Sequence, residues 1–198
     1  MIDIGKCPSK REFSIQKYLD SVPSGLAKVS FTVDDDLCVK AQSIPGFKHS
    51  AAQWLGRVGE QFSVDPRWIL TTMQAEQSLP LDKTVRSPDC VIQVLNSPVM
   101  GLGNLWKVRG KQEWVRVIGD WKMCGACGAG IFLGGECIEP CVFGFPAQAY
   151  YCAKWTRRYL DSFASKSDNP LQAVAVEWVG LPEAGPQREA IYRRMFLS

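Results

Sequence analysis

The chain has 198 residues, 46% of them apolar and 22% charged, with a formal net charge of +3. That composition excludes a disordered chain and lacks the dense basic stripe of a duplex binder, so no nucleic-acid partner is expected. No apolar run approaches the roughly 20 residues of a membrane span, and residues 1–11 lack the apolar core of a signal peptide.

Residues 1–47 read as an N-terminal extension, and residues 48–198 as the main domain after the Pro45-Gly46 turn signal. Within the extension, a helix is predicted over 9–21, ended by Pro23. The alternation Val29-Ser-Phe-Thr-Val33 predicts a half-exposed strand. Asp34-Asp35-Asp36 reads as a solvated turn, because the spaced ligands of a calcium loop are missing.

Residues 49–62 predict a helix capped by Ser50, with Trp54, Leu55, Val58 and Phe62 facing inward. His49 is the single histidine. Without a nucleophile-elbow pattern it reads as a surface residue.

The next helix has a start and a stop: Asp65 can cap it, Pro66 fits its first position, and Pro80 ends it. Ile69, Thr72, Met73 and Glu76 fall on one stripe. Three of these four suit a core and the fourth is a carboxylate. Apolar surroundings favour the protonated carboxyl, which is the form a general acid needs. The competing reading is a glutamate at the rim of the stripe that simply reaches water. If Glu76 is a buried acid without a partner, Glu76→Gln leaves stability at or slightly above that of the wild type.

Residues 81–109 read as loop and carry Trp106, and residues 112–121 show a second helical pattern. Residues 124–144 are rich in Gly and Cys and lack material for an apolar core, so they need staples. Residues 145–163 predict a helix with Gln148, Cys152, Trp155, Tyr159 and Phe163 on one face. Asn169-Pro170 repeats the cap-plus-proline start for a helix over 171–178. A last helix over 186–196 turns Ile191 and Met195 inward. The fold class expected is mainly α with little strand.

Eight cysteines point to an oxidising compartment or to metal. Disulfides are expected within 124–152, together with a Cys7–Cys38 bridge. The rival reading is a non-enzymatic interaction module in which Cys124, Cys127, Cys137 and Cys141 hold a structural zinc. A Cys-x-x-Cys redox site comes third, because no strand–helix setting accompanies it.

Four motifs in order resemble the lysozyme-like peptidoglycan hydrolases and lytic transglycosylases. They are Gln74-Ala75-Glu76-Gln77-Ser78-Leu79, Gly134-Gly135-Glu136-Cys137-Ile138-Glu139-Pro140, Gly144-Phe145-Pro146-Ala147-Gln148, and Arg157-Arg158-Tyr159-Leu160. The ending Glu189-Ala190-Ile191-Tyr192-Arg193-Arg194-Met195-Phe196 also resembles the terminal helix of that family. The chain departs from the family at Cys137-Ile138-Glu139-Pro140, where the usual Cys-Asp-Pro gains a residue.

The resemblance implies a lysozyme-like helical domain with a Cys/Gly-rich loop and a small N-terminal extension. It implies an enzyme that cuts between N-acetylmuramic acid and N-acetylglucosamine, with Glu76 as the general acid. Ser78, Gln148, Tyr150, Trp106 and Glu139 form the expected substrate-binding set. No metal or cofactor is expected. Asp89, Asp120, Glu136 and Glu139 are the acids available as a second carboxylate, so hydrolase and transglycosylase both remain open. The partner implied is the peptidoglycan glycan strand, met outside the cell or in the periplasm by a monomer. An immunity or inhibitor protein is a further partner to consider.

Overall fold

The computed structural model describes residues 2–9, 11–23, 26–28, 30–33, 48–77, 107–108, 116–117, 120–121, 131–133, 136–139, 144–162 and 167–198. Six α-helices dominate them: α1 (Ile15–Ser21), α2 (Ala51–Phe62), α3 (Pro66–Gln77), α4 (Gly144–Ser162), α5 (Pro170–Val179) and α6 (Ala184–Phe196). The class is mainly α. Among the described residues no helix is long and apolar enough to cross a membrane.

The helix starts follow from local chemistry. At α2 the Ser50 hydroxyl accepts from the Gln53 amide at 3.1 Å, and Gln53 Oε1 accepts from the Ser50 amide at 2.9 Å. This reciprocal cap satisfies two amides that the first turn leaves over. Asp65 Oδ1 accepts from the Arg67 amide at 2.9 Å, and Pro66 opens α3 where its missing N–H costs nothing. Asn169 accepts from the Gln172 amide at 3.3 Å ahead of Pro170. Gly180 ends α5 at a φ of 77°, which glycine adopts without steric penalty.

Helix α3 is the centre of the domain, with Trp68, Ile69, Leu70, Thr71, Thr72 and Met73 fully buried. Helices α2, α4 and α6 pack around it. Trp68 Nε1 donates to Thr156 Oγ1 at 2.8 Å. With that hydroxyl satisfied, the inner stripe of α4 runs through Ala149, Cys152, Ala153, Thr156 and Leu160. It is turned from the predicted face, since Trp155 and Tyr159 are only half-buried. Trp54 Nε1 donates to the Pro146 carbonyl at 2.9 Å and fixes the first turn of α4 against α2.

The N-terminal residues share this core. Ile4, Leu19, Leu26 and Val33 are buried in it, and the Asp65 amide donates to the Ile4 carbonyl at 2.9 Å. Strand β1 (Ser30–Thr32) pairs antiparallel with β2 (Lys48–Ser50), which sets Phe31 opposite His49. The expected surface histidine is thus a buried strand residue, 2% exposed, with its ring centroid 5.3 Å from that of Trp54. Burial, aided by Arg57, pushes its pKa down. A neutral imidazole is the form that such a site accepts.

Where a helix is predicted over 112–121, the described residues 116–117 and 120–121 are paired strands. After β3 (Lys107–Val108) come β4 (Arg116–Val117) and β5 (Asp120–Trp121), antiparallel, with Val117 opposite Asp120. Val117 and Trp121 are strand residues there, which their helical register with Trp114 and Ile118 in the sequence hid. Within the Gly/Cys-rich segment, residues 131–133 and 136–139 are strands. Strands β6 (Ile131–Leu133) and β7 (Glu136–Glu139) pair antiparallel, and β3 runs parallel along β7.

The α2–α3 turn is tight. Ser63 takes a φ of 50° there, and a Cβ on Gly59 would lie 2.8 Å from both Pro66 Cγ and the Val64 carbonyl oxygen. Gly59→Ala is therefore expected to cost about 1–3 kcal/mol by overpacking. The urea midpoint of unfolding measures it; an unchanged midpoint would mean that the turn relaxes freely.

Candidate functional site

Glu76 is the penultimate residue of α3. Its neighbours one turn back, Thr72 and Met73, are fully buried, while its own side chain is 23% exposed. The carboxylate therefore stands where the core helix reaches the surface. The sequence shows it as a lone acid; in the fold it is one half of an ion pair. Glu76 Oε1 accepts from Nη2 of Arg188 on α6, a side chain only 3% exposed. Glu76 Oε2 makes no hydrogen bond among the described residues.

Arg188 is held from a second side. Its Cζ lies over the Trp68 ring, 5.8 Å from the centroid, a contact in which the ring quadrupole attracts the cation. Trp68, Thr72 and Glu76 are spaced four apart on α3, so Arg188 bridges the two ends of one helix face. Two polar atoms in this layer are buried without a hydrogen-bond partner among the described residues: Arg188 Nη1 and Thr72 Oγ1. The negative end of α3 also favours a cation beside its last turn.

Arg188 is the residue that sequence reasoning missed. The signal lay in the spacing of Arg188, Tyr192 and Met195, which share the inward stripe of α6. An arginine on such a stripe reads as surface until a carboxylate is known to meet it.

Of the other expected site residues, Ser78 and Trp106 lie outside the described residues. Gln148 belongs to the second turn of α4, the helix start that Trp54 pins. Glu139 ends β7, opposite Ile131. Tyr150 is 4% exposed, with its ring 5.1 Å from those of Phe62 and Tyr151, so protein covers most of the surface a sugar would need. Burial, followed by Tyr151, raises its pKa.

Among the described residues two cysteines, Cys7 and Cys152, are free thiols. Cys7 is not bridged to Cys38, and Cys152 lies fully buried on the inner stripe of α4. There it packs as a small apolar side chain, and no staple reaches it. Cys124, Cys127 and Cys141 lie outside the described residues. Burial, with Glu60 and Asp65 adding to it, pushes the Cys7 thiol up to about 11. Since the thiolate is the reactive form, native Cys7 is expected to react slowly with a disulfide reagent at pH 8. Denaturation should release it and Cys152 together. Rapid labelling of Cys7 in the native protein would contradict this.

A cavity of about 950 Å³ opens between α1, α2 and the N-terminal segment, bounded by Cys7, Phe13, Gln16, His49, Arg57 and Glu60 among others. None of the expected site residues is among the described residues lining it. The Arg188–Glu76 pair is the better chemical candidate, because it couples a surface-reaching carboxylate to a buried cation.

These features define the class, a mainly α domain built on one buried central helix with an acid at its mouth. Comparison with protein-family models, curated proteins and solved structures found no match to this chain.

Proposed function

We propose that this protein is an enzyme that cleaves peptidoglycan glycan strands between N-acetylmuramic acid and N-acetylglucosamine, with Glu76 as its general acid. The observation that carries the reading is the carboxylate itself. It sits at the end of a buried helix, with one oxygen anchored on Arg188 and the other unbonded among the described residues. The ordered motifs around Glu76, Gln148 and Arg157-Arg158-Tyr159 support the same assignment.

In this scheme Glu76 gives its proton to the glycosidic oxygen as the C–O bond breaks, and the sugar acquires oxocarbenium character. The leaving strand departs as an alcohol and Glu76 is left as carboxylate. The cation at C1 is then captured by water or by the sugar's own C6 hydroxyl, whose proton returns to the Glu76 carboxylate; the first gives a hydrolase product, the second an anhydro sugar. Gln148, Ser78, Trp106 and Glu139 would orient the strand. The work is placed at the cell wall, in the periplasm or outside the cell.

Turbidity loss of a cell-wall suspension tests the reading. Wild type should clear the suspension and Glu76→Gln should not. Full clearing by the variant would remove Glu76 from the chemistry.

A further inference from the structure

We infer that Arg188 is a positioning residue for Glu76: its buried guanidinium holds one carboxylate oxygen so that the other faces the substrate. This rests on the proposed role of Glu76 and adds to it a second residue, on a different helix.

The argument begins with what Arg188 costs. Its side chain is 3% exposed, and Nη1 is buried with no partner among the described residues. A buried charge with incomplete hydrogen bonding is a poor source of stability, and an apolar side chain of similar volume often serves as well or better. Tyr192 and Met195, its neighbours on the same inward stripe, show that this face of α6 otherwise carries ordinary core residues. Packing alone therefore gives no reason for a guanidinium at 188.

The geometry gives one. Glu76 has three rotatable bonds and, at 23% exposure, room to swing. Arg188 cannot follow it, because its Cζ is seated over the Trp68 ring and Trp68 is itself tied to Thr156 at 2.8 Å. The chain Thr156–Trp68–Arg188–Glu76 thus runs from α4 through α3 to α6 and back to the acid. Each link is made to a buried group, so the carboxylate inherits the rigidity of the core. That is the arrangement in which supporting groups hold a reacting atom within a fraction of an ångström.

The pair also acts in the transition state. As Glu76 loses its proton to the glycosidic oxygen, negative charge grows on the carboxylate. Arg188 is already in place to meet it, without any reorganisation of solvent.

The test uses the full chain and soluble glycan strands freed of their peptides. Arg188→Met keeps the bulk over Trp68 and removes the donor. It should fold, by circular dichroism at the assay temperature, and lose about 10²-fold in kcat with KM within about twofold, since misplacement by an ångström costs that much. Arg188→Ala should lose as much and recover part of it with millimolar guanidinium chloride, far below denaturing concentration, while sodium chloride restores nothing. A folded Arg188→Met with kcat within twofold of wild type overturns the inference, as does an Arg188→Ala that ignores guanidinium. If wild type cleaves no glycan strand, the reading of Glu76 fails first and this inference falls with it. If wild type is active and Glu76→Gln is dead while Arg188→Met works, only the role of Arg188 is lost.

Discussion

Glu76→Gln is expected to lose cell-wall activity by about 10²–10⁴-fold and to be less stable than wild type. The rate loss follows from proton transfer, because an amide keeps the shape and one acceptor but delivers no proton. The stability loss follows from Arg188. In the variant its guanidinium, 3% exposed, faces a neutral oxygen where it had a carboxylate. A hydrogen bond to a charged group contributes more than a neutral one, and a buried charge deprived of its counterion is costly. The pair is partly open at Glu76, so about 1–3 kcal/mol is the scale, a fall in Tm of about 2–12 °C. An unpartnered buried acid predicts the opposite sign, stability held or slightly raised. Thermal unfolding of wild type and Glu76→Gln, followed by circular dichroism, separates the two. A variant as stable as wild type would mean that the Arg188 pair contributes nothing in solution.

Asp65→Ala should damage the fold more than any single change at the candidate site. Asp65 is fully buried and does three things at once. It caps α3 through the Arg67 amide at 2.9 Å, pairs with the Arg67 guanidinium at 2.7 Å, and accepts from the Tyr192 hydroxyl at 2.9 Å. Burial, then the nearby Asp65 charge, raises the Tyr192 pKa, so this hydroxyl stays a donor across the working range. Arg67 is also packed over Phe13 and Tyr192, with its Cζ 5.4 Å and 5.6 Å from their centroids. The change to Ala removes the cap, leaves the tyrosine hydroxyl without its acceptor, and frees a cation seated among rings. Together these should cost about 3–5 kcal/mol. Asp65→Asn keeps the cap oxygen but puts an NH2 where Oδ2 accepted from Tyr192, a group that the hydroxyl can meet only as acceptor, so it should lose less than Asp65→Ala. Urea unfolding followed by tryptophan fluorescence measures both; an Asp65→Ala within 1 kcal/mol of wild type, taken as about the size of a lone cap, would show that the cluster is not cooperative.

What the sequence reveals of this fold is what short-range chemistry controls. Ser50, Asp65-Pro66 and Asn169-Pro170 each announce a helix start, because a cap is made within three residues of where it stands. The inward faces of α2 and α3 are equally legible from their period. The misses involve partners distant in the chain. Val117 and Trp121 fit a helical register, yet they are strand residues, paired with Asp120 and Arg116. Thr156 turns inward because Trp68, 88 residues away, supplies its donor. His49 is buried because Phe31 pairs opposite it and Trp54 packs on it. The candidate site divides in the same way. Glu76 could be singled out from its own helix, whereas Arg188, 112 residues on, became part of the site only when α6 was laid against α3.

The central claim is that Glu76 cuts a glycan bond, and the most direct measurement is the identity of the products. Purified sacculi incubated with wild type and with Glu76→Gln should be compared by mass spectrometry of the soluble fragments. Wild type is predicted to release muropeptides ending in N-acetylmuramic acid, in reducing or anhydro form, with their peptides intact; Glu76→Gln should release none above background. Sacculi left insoluble by a folded wild type, or fragments severed in the peptide with glycan strands intact, would contradict the account.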